Sequence, residues 1–173
     1  MNSHDTVEPR IYVGTYAKYN EGDLTGEWFE LSDYEDRETF YTACAELHKD
    51  EEDPEFMFQD WENIPDSMIR ESWISEEVFE LAGESLSDEE YEALFEWLDD
   101  GNDYDLSAFR DAWQGRHESE TDYAEHLADE LGYFRMMENA GLQASYFDVE
   151  AFSDDLFCGD YWMSDGGNVF RRF

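Results

Sequence analysis

Apolar and polar positions alternate at the start of this chain and then change period. Ile11 and Val13 fall on one side and Tyr12 on the other, so Ile11 to Tyr16 predicts a strand. Asn20-Glu21-Gly22 supplies a turn, and Glu27 to Leu31 a second, aromatic-rich strand. Phe40, Ala43, Cys44 and Leu47 then recur at the spacing of one helix face, with Ser32 or Asp36 as the cap. Lys49 to Pro54 is a charged loop, and Phe56 to Trp61 a third strand. Residues 1–65 therefore predict a ββαβ unit behind a loose polar leader at residues 1–9.

The period lengthens after Pro65. Ser75 is a candidate N-cap, with Ile74 before it placed to staple onto Phe79. Val78, Phe79, Leu81 and Ala82 mark that helix, and Gly83 ends it. Ser87-Asp88-Glu89-Glu90 has the capping-box pattern, followed by a Tyr91, Leu94, Phe95, Leu98 stripe. Gly101-Asn102-Asp103 breaks the run. Leu106, Phe109 and Trp113 predict another helix, stopped near Gly115. Ser119 caps a further one, with Tyr123, Leu127 and Leu131 on its apolar face and Gly132 as its stop. Arg135 to Ala140 reads as a short helix closed by Gly141, and Val149, Phe152 and Leu156 as the last. Tyr161-Trp162-Met163 and Val169-Phe170-Arg171 flank Asp165-Gly166-Gly167-Asn168 as a hairpin. The pattern is α+β: strands at both ends, helices between, no internal repeat. It divides into three small domains at 1–65, 66–104 and 105–173.

Charge changes the picture. Acidic residues number 47 against 10 basic ones, a net −37 over 173 residues. Acidic disorder is poor in aromatics, yet 17% of this chain is aromatic. Those rings need burial, so this is a folded protein that tolerates self-repulsion. The excess peaks between Asp66 and Leu131, where 22 carboxylates face three arginines, a net −19 over 66 residues. Such a surface repels nucleic acid and anionic membranes and favours a basic partner. Met1 to Arg10 has no signal-peptide core, and no apolar run approaches the roughly 20 residues of a membrane span, so a cytoplasmic location is expected. The two cysteines form no paired motif, and Cys44 falls on a predicted apolar helix face.

Carboxylates first raise the question of metals. An EF-hand loop needs oxygen ligands at positions 1, 3 and 5 and glycine at 6. Counting from Asp99 puts Gly101 at position 3; counting from Asp100 puts Tyr104 at position 5. His117 and His126 stand nine apart, without a zinc pattern. Gly166-Gly167 follows no phosphate-cradling strand and helix, and no nucleophile motif occurs, so catalytic residues, cofactors and metals are all read as none. The remaining signal is spatial. Duplex DNA carries one charge per about 1.7 Å of axis, and helical i, i+4 neighbours lie roughly 5–6 Å apart. Rows such as Asp88/Glu92/Glu96 and Asp122/Glu125/Asp129 space carboxylates on the scale of phosphates.

Near the N-terminus Ile11-Tyr12-Val13 runs into Lys18-Tyr19-Asn20-Glu21-Gly22, then Gly26-Glu27-Trp28-Phe29. Towards the C-terminus stand Tyr146 to Phe152, Asp155-Leu156 and Gly159-Asp160-Tyr161-Trp162. In these stretches the chain resembles the antirestriction protein family ArdA. The resemblance implies an elongated, three-domain DNA mimic that dimerises into a curved acidic rod. It implies occupation of the DNA-binding groove of type I restriction–modification enzymes, against their specificity and methylation subunits, without catalysis. It implies carriage on conjugative plasmids and transposons to protect incoming DNA. On this reading the phosphate-mimicking groups are Glu76, Glu77, Glu80, Glu84, Asp88, Glu89, Glu92, Glu96, Asp99, Asp100, Asp103, Asp105, Asp111, Glu118, Asp122, Glu125 and Asp129. The dimerisation region falls on the helix of Tyr123, Ala124 and Leu127. Three other readings stay open at this point: an antagonist of another DNA-binding or nucleoid protein, a cation-binding acidic protein, and a halophilic protein, since only Lys18 and Lys49 supply lysine.

Overall fold

A computed structural model describes residues 7–173 of the chain, so part of the polar leader lies outside the described residues. The rest of that leader is packed rather than loose: Pro9 is buried and its carbonyl accepts the Leu31 N–H at 3.0 Å. The structure is α+β and divides into two compact units, residues 1–98 and 99–173.

The first unit is built on an antiparallel sheet of β1 (Arg10–Thr15), β2 (Glu27–Glu30) and β3 (Phe56–Glu62), in the order β2-β1-β3. The β1 strand stops one residue early, because Thr15 caps a short helix α1 (Tyr16–Asn20) and accepts the Lys18 N–H. The second strand also ends early, at a 3-10 turn over Leu31–Asp33. Helix α2 (Arg37–Leu47) starts at Asp36, not Ser32. The Asp36 carboxylate accepts the Thr39 N–H at 2.8 Å, and those bonds hold the carboxyl below its usual range. Alternation along β1 sends Ile11 and Val13 into the interior, both fully buried. There α2 contributes Phe40 and Cys44, and burial pushes the Cys44 thiol up to about 12.

A two-residue hairpin follows, β4 (Ile69–Arg70) with β5 (Trp73–Ile74), which the sequence pattern did not announce because two residues carry no period. It leads to α3 (Glu77–Ala82) and α4 (Asp88–Asp99). The capping box of α4 forms as its sequence predicts. Ser87 Oγ accepts the Glu90 N–H at 3.2 Å, and the Glu90 carboxylate accepts the Ser87 N–H at 2.9 Å. The Tyr91, Leu94, Leu98 stripe is buried, joined by Trp97, while Phe95 is half-buried. Phe79 of α3 packs on Phe40 of α2, with centroids 5.7 Å apart, so residues beyond Pro65 share the core of the N-terminal sheet.

The second unit holds α5 (Leu106–Ala112), β6 (Trp113–Arg116), α6 (Glu120–Glu130), α7 (Tyr133–Asn139), α8 (Val149–Phe157), β7 (Tyr161–Met163) and β8 (Asn168–Arg171). Its sheet runs β6-β8-β7, and the predicted hairpin is the pair β7–β8, with Trp162 opposite Phe170. Trp113 is not helical, as its spacing from Phe109 led one to expect. It begins β6 opposite Phe170, with its indole stacked on Phe109 and donating to Asn168 Oδ1 at 2.9 Å. The ring stays on the apolar side of α5 after the backbone has left the helix, which periodicity alone cannot distinguish. On α6 the buried positions are Tyr123, Ala124 and Ala128, whereas Leu131 is exposed. The reason is the partner: α6 lies on α8, whose buried residue is Ser153 and whose Phe157 ring meets the Tyr123 ring with centroids 6.0 Å apart.

Candidate functional site

The acidic stretch folds in a way that turns its carboxylates outward. Each of its helices keeps its apolar stripe in a core, so the remaining positions face solvent. Glu76 precedes α3, Glu77 and Glu80 lie on it, and Glu84 follows it. Asp88, Glu89, Glu92, Glu96 and Asp99 lie on α4. Asp100 and Asp103 occupy the loop after it, Asp105 caps α5, and Asp111 lies on α5. Glu118 precedes α6, which carries Asp122, Glu125 and Asp129. All of these side chains belong to exposed residues except Glu96, which is half-buried.

Their positive neighbours are sparse by composition. Even if each of the three arginines between Asp66 and Leu131 paired with a carboxylate, 19 negative charges would remain. Arg37, from outside the stretch, reaches Glu76 at 3.5 Å. Carboxyls held below their usual range lie elsewhere: Asp23 through Thr25, Asp36 through Thr39, and Asp50 through Lys18. Those acids pin turns, caps and ion pairs in the first unit, which is a structural use distinct from the outward rows.

The structure brings the whole α6 row and part of the α4 row together. Asp122, Glu125 and Asp129 line one open groove of about 400 Å³ with His126 and Phe134. His126 lies 3.5 Å from Glu130, and His117 reaches Asp122 at 3.4 Å, so imidazoles interleave with the α6 carboxylates. Helical i, i+4 spacing of Asp122, His126 and Glu130 carried that signal in the sequence; Phe134, arriving from α7, gave none. Asp88 and Glu92 share a second groove, about 340 Å³, with Val7, Asn63, Tyr91 and Phe95. The α4 row and the α6 row belong to different units.

The three residues expected to mark dimerisation have different settings. Leu127 is half-buried, but Tyr123 and Ala124 are interior. The Tyr123 ring meets His117, Phe157 and Tyr161, and burial followed by its hydrogen bond with Tyr161 pushes its phenol well above the usual range. Large exposed apolar side chains follow α6 in the sequence, at Leu131, Met136, Leu142 and Tyr146.

Among the described residues no group of three or more His, Cys, Asp or Glu could hold a metal ion. No helix among them is long and apolar enough to cross a membrane. No curated protein matches the chain. The family model of the antirestriction protein ArdA matches residues 11–170. That span takes in both cores and the whole outward-facing acidic stretch, and the protein belongs to the ArdA antirestriction family.

Proposed function

We propose that this protein is a non-catalytic DNA mimic that occupies the DNA-binding groove of type I restriction–modification enzymes and blocks cleavage and modification of incoming DNA. One observation carries the reading: a net −19 is concentrated on short helices whose apolar faces are already used in cores. The carboxylates stand for phosphates, and Lys and Arg of the specificity and methylation subunits pair with them. Charge is imitated and base edges are not, so inhibition should extend across enzymes of different recognition sequence. The setting is the cytoplasm of a bacterium receiving a conjugative plasmid or transposon. The test is titration of this protein into a type I methyltransferase core bound to labelled duplex DNA. Displacement near one equivalent of dimer is expected. Undisplaced DNA at low salt, with the inhibitor shown folded, would refute the type I assignment.

The same reading makes the protein a homodimer. The exposed side chains of Leu131, Met136, Leu142 and Tyr146 support a self-contact there. Tyr123 and Ala124 then act by holding α6 in place, and Tyr123→Asp would bury a charge in the core instead of testing the interface. Met136→Asp is the cleaner variant, since Met136 is 58% exposed. Sedimentation should show a dimer for the parent and a monomer with unchanged circular dichroism for the variant. A variant that remains dimeric would move the interface elsewhere.

A further inference from the structure

We propose that the outer face of the N-terminal sheet is an aromatic platform that takes arginine guanidinium groups of a basic partner. On the reading above, which this one deepens, those arginines belong to the DNA-binding cleft of the type I enzyme.

Register defines the face. Tyr12 of β1 lies between Trp28 of β2 and Asp60 of β3, and Arg10 lies between Glu30 and Glu62. Side chains alternate along a strand, so these six share the side opposite buried Ile11 and Val13. The rings of Tyr12 and Trp28 meet edge-on with centroids 5.6 Å apart. This pair is held in place. The Tyr12 hydroxyl donates to the Leu24 carbonyl at 2.9 Å, and Thr25 N–H closes a turn on Asp23 Oδ1 at 2.9 Å. Gly26 makes the close approach possible: a Cβ there would lie 2.9 Å from the Tyr12 ring and nearer still to the Val13 carbonyl.

Charge complementarity identifies the occupant. Glu30, Asp60 and Glu62 edge an aromatic centre, a combination that suits a cation with a planar, stackable face. The molecule displays the mode itself. The Arg10 guanidinium lies 4.7 Å from the Trp28 ring centroid while donating to Glu62 at 2.7 Å. Trp28 nonetheless remains 38% exposed. A partner arginine therefore competes with Arg10 for the ring face. Lysine gains the carboxylates but less of the aromatic face.

The experiment follows the Trp28 indole N–H resonance of the full chain, assigned through Trp28→Phe, during titration with tetra-arginine and tetra-lysine peptides. Half-saturation by the arginine peptide should come at about two- to fivefold lower concentration. Arg10→Ala should widen that ratio, because it vacates the platform; a purely structural Arg10 would leave it unchanged. Neutralising Asp60 and Glu62 should weaken both peptides alike. Equal half-saturation by the two peptides, an unresponsive indole, or an unchanged ratio in Arg10→Ala would overturn the platform. The displacement assay separates the two readings. If the parent displaces DNA and Trp28→Thr, which keeps a strand-forming residue, does so equally well, the platform falls and mimicry stands. If the parent fails to displace DNA, mimicry falls, and the peptide ratio alone decides the platform.

Discussion

If the proposed mimicry holds, raising the salt from about 50 to 200 mM is expected to weaken binding of this protein to a type I enzyme by about 10³-fold. A ligand meeting six to ten phosphates on duplex DNA loses about 10³–10⁵ over that range, chiefly because counterion release on binding gains less at higher salt. A folded acidic surface condenses fewer ions than a duplex, which places the expectation at the lower end. The same physics makes the effect of single residues small. An exposed ion pair contributes about 0.2–1 kcal/mol, so Asp122→Asn, Glu125→Gln or Asp129→Asn alone should each cost at most about fivefold. The triple variant empties the α6 groove of three of its charges. It should cost on the order of 10²-fold, the near-additive sum of such pairs. Competition binding at two salt concentrations measures both. One indispensable carboxylate, or affinity indifferent to salt, would mean a local apolar contact in place of distributed mimicry.

Phe40→Ala should cost the first unit about 3–5 kcal/mol. Phe40 is fully buried, and the rings of Phe29, Tyr34, Tyr41, Phe58 and Phe79 close around it. It joins β2, β3, α2 and α3, so no single element can collapse into the void. The loss takes up much of the roughly 5–15 kcal/mol that holds a domain together. The second unit has its own interior around Phe109 and Phe170. Calorimetry or near-UV circular dichroism should therefore show one transition lowered or lost and another retained. A single, unshifted transition would show that this cluster does not carry the unit.

The elements most legible in the chain are those fixed by near neighbours. Thr39 and Asp36, Ser87 and Glu90, and Ser119 and Asp122 cap helices across three residues, and such bonds need no tertiary partner. Gly132 and Gly141 stop helices where the sequence places them, each at positive φ. The outward direction of the acidic rows was also legible, because burying a charged carboxylate is costly and helical spacing assigns the opposite face to the core. What lay beyond local reading depends on contacts distant in sequence. Trp113 leaves its helix because Phe170 and Asn168, more than fifty residues on, receive it in a sheet. The buried side of α6 is Tyr123, Ala124 and Ala128 and not Leu131, because α6 packs on α8, and Phe157 and Tyr161 receive the Tyr123 ring. Arg10, Tyr12 and Trp28 become one surface only through the register of two strands. Composition and local spacing thus settled the charge, the caps and the turns, through bonds a few residues long. Folding chose which apolar residues meet and which are left exposed, since that choice belongs to the packing partner and not to the residue.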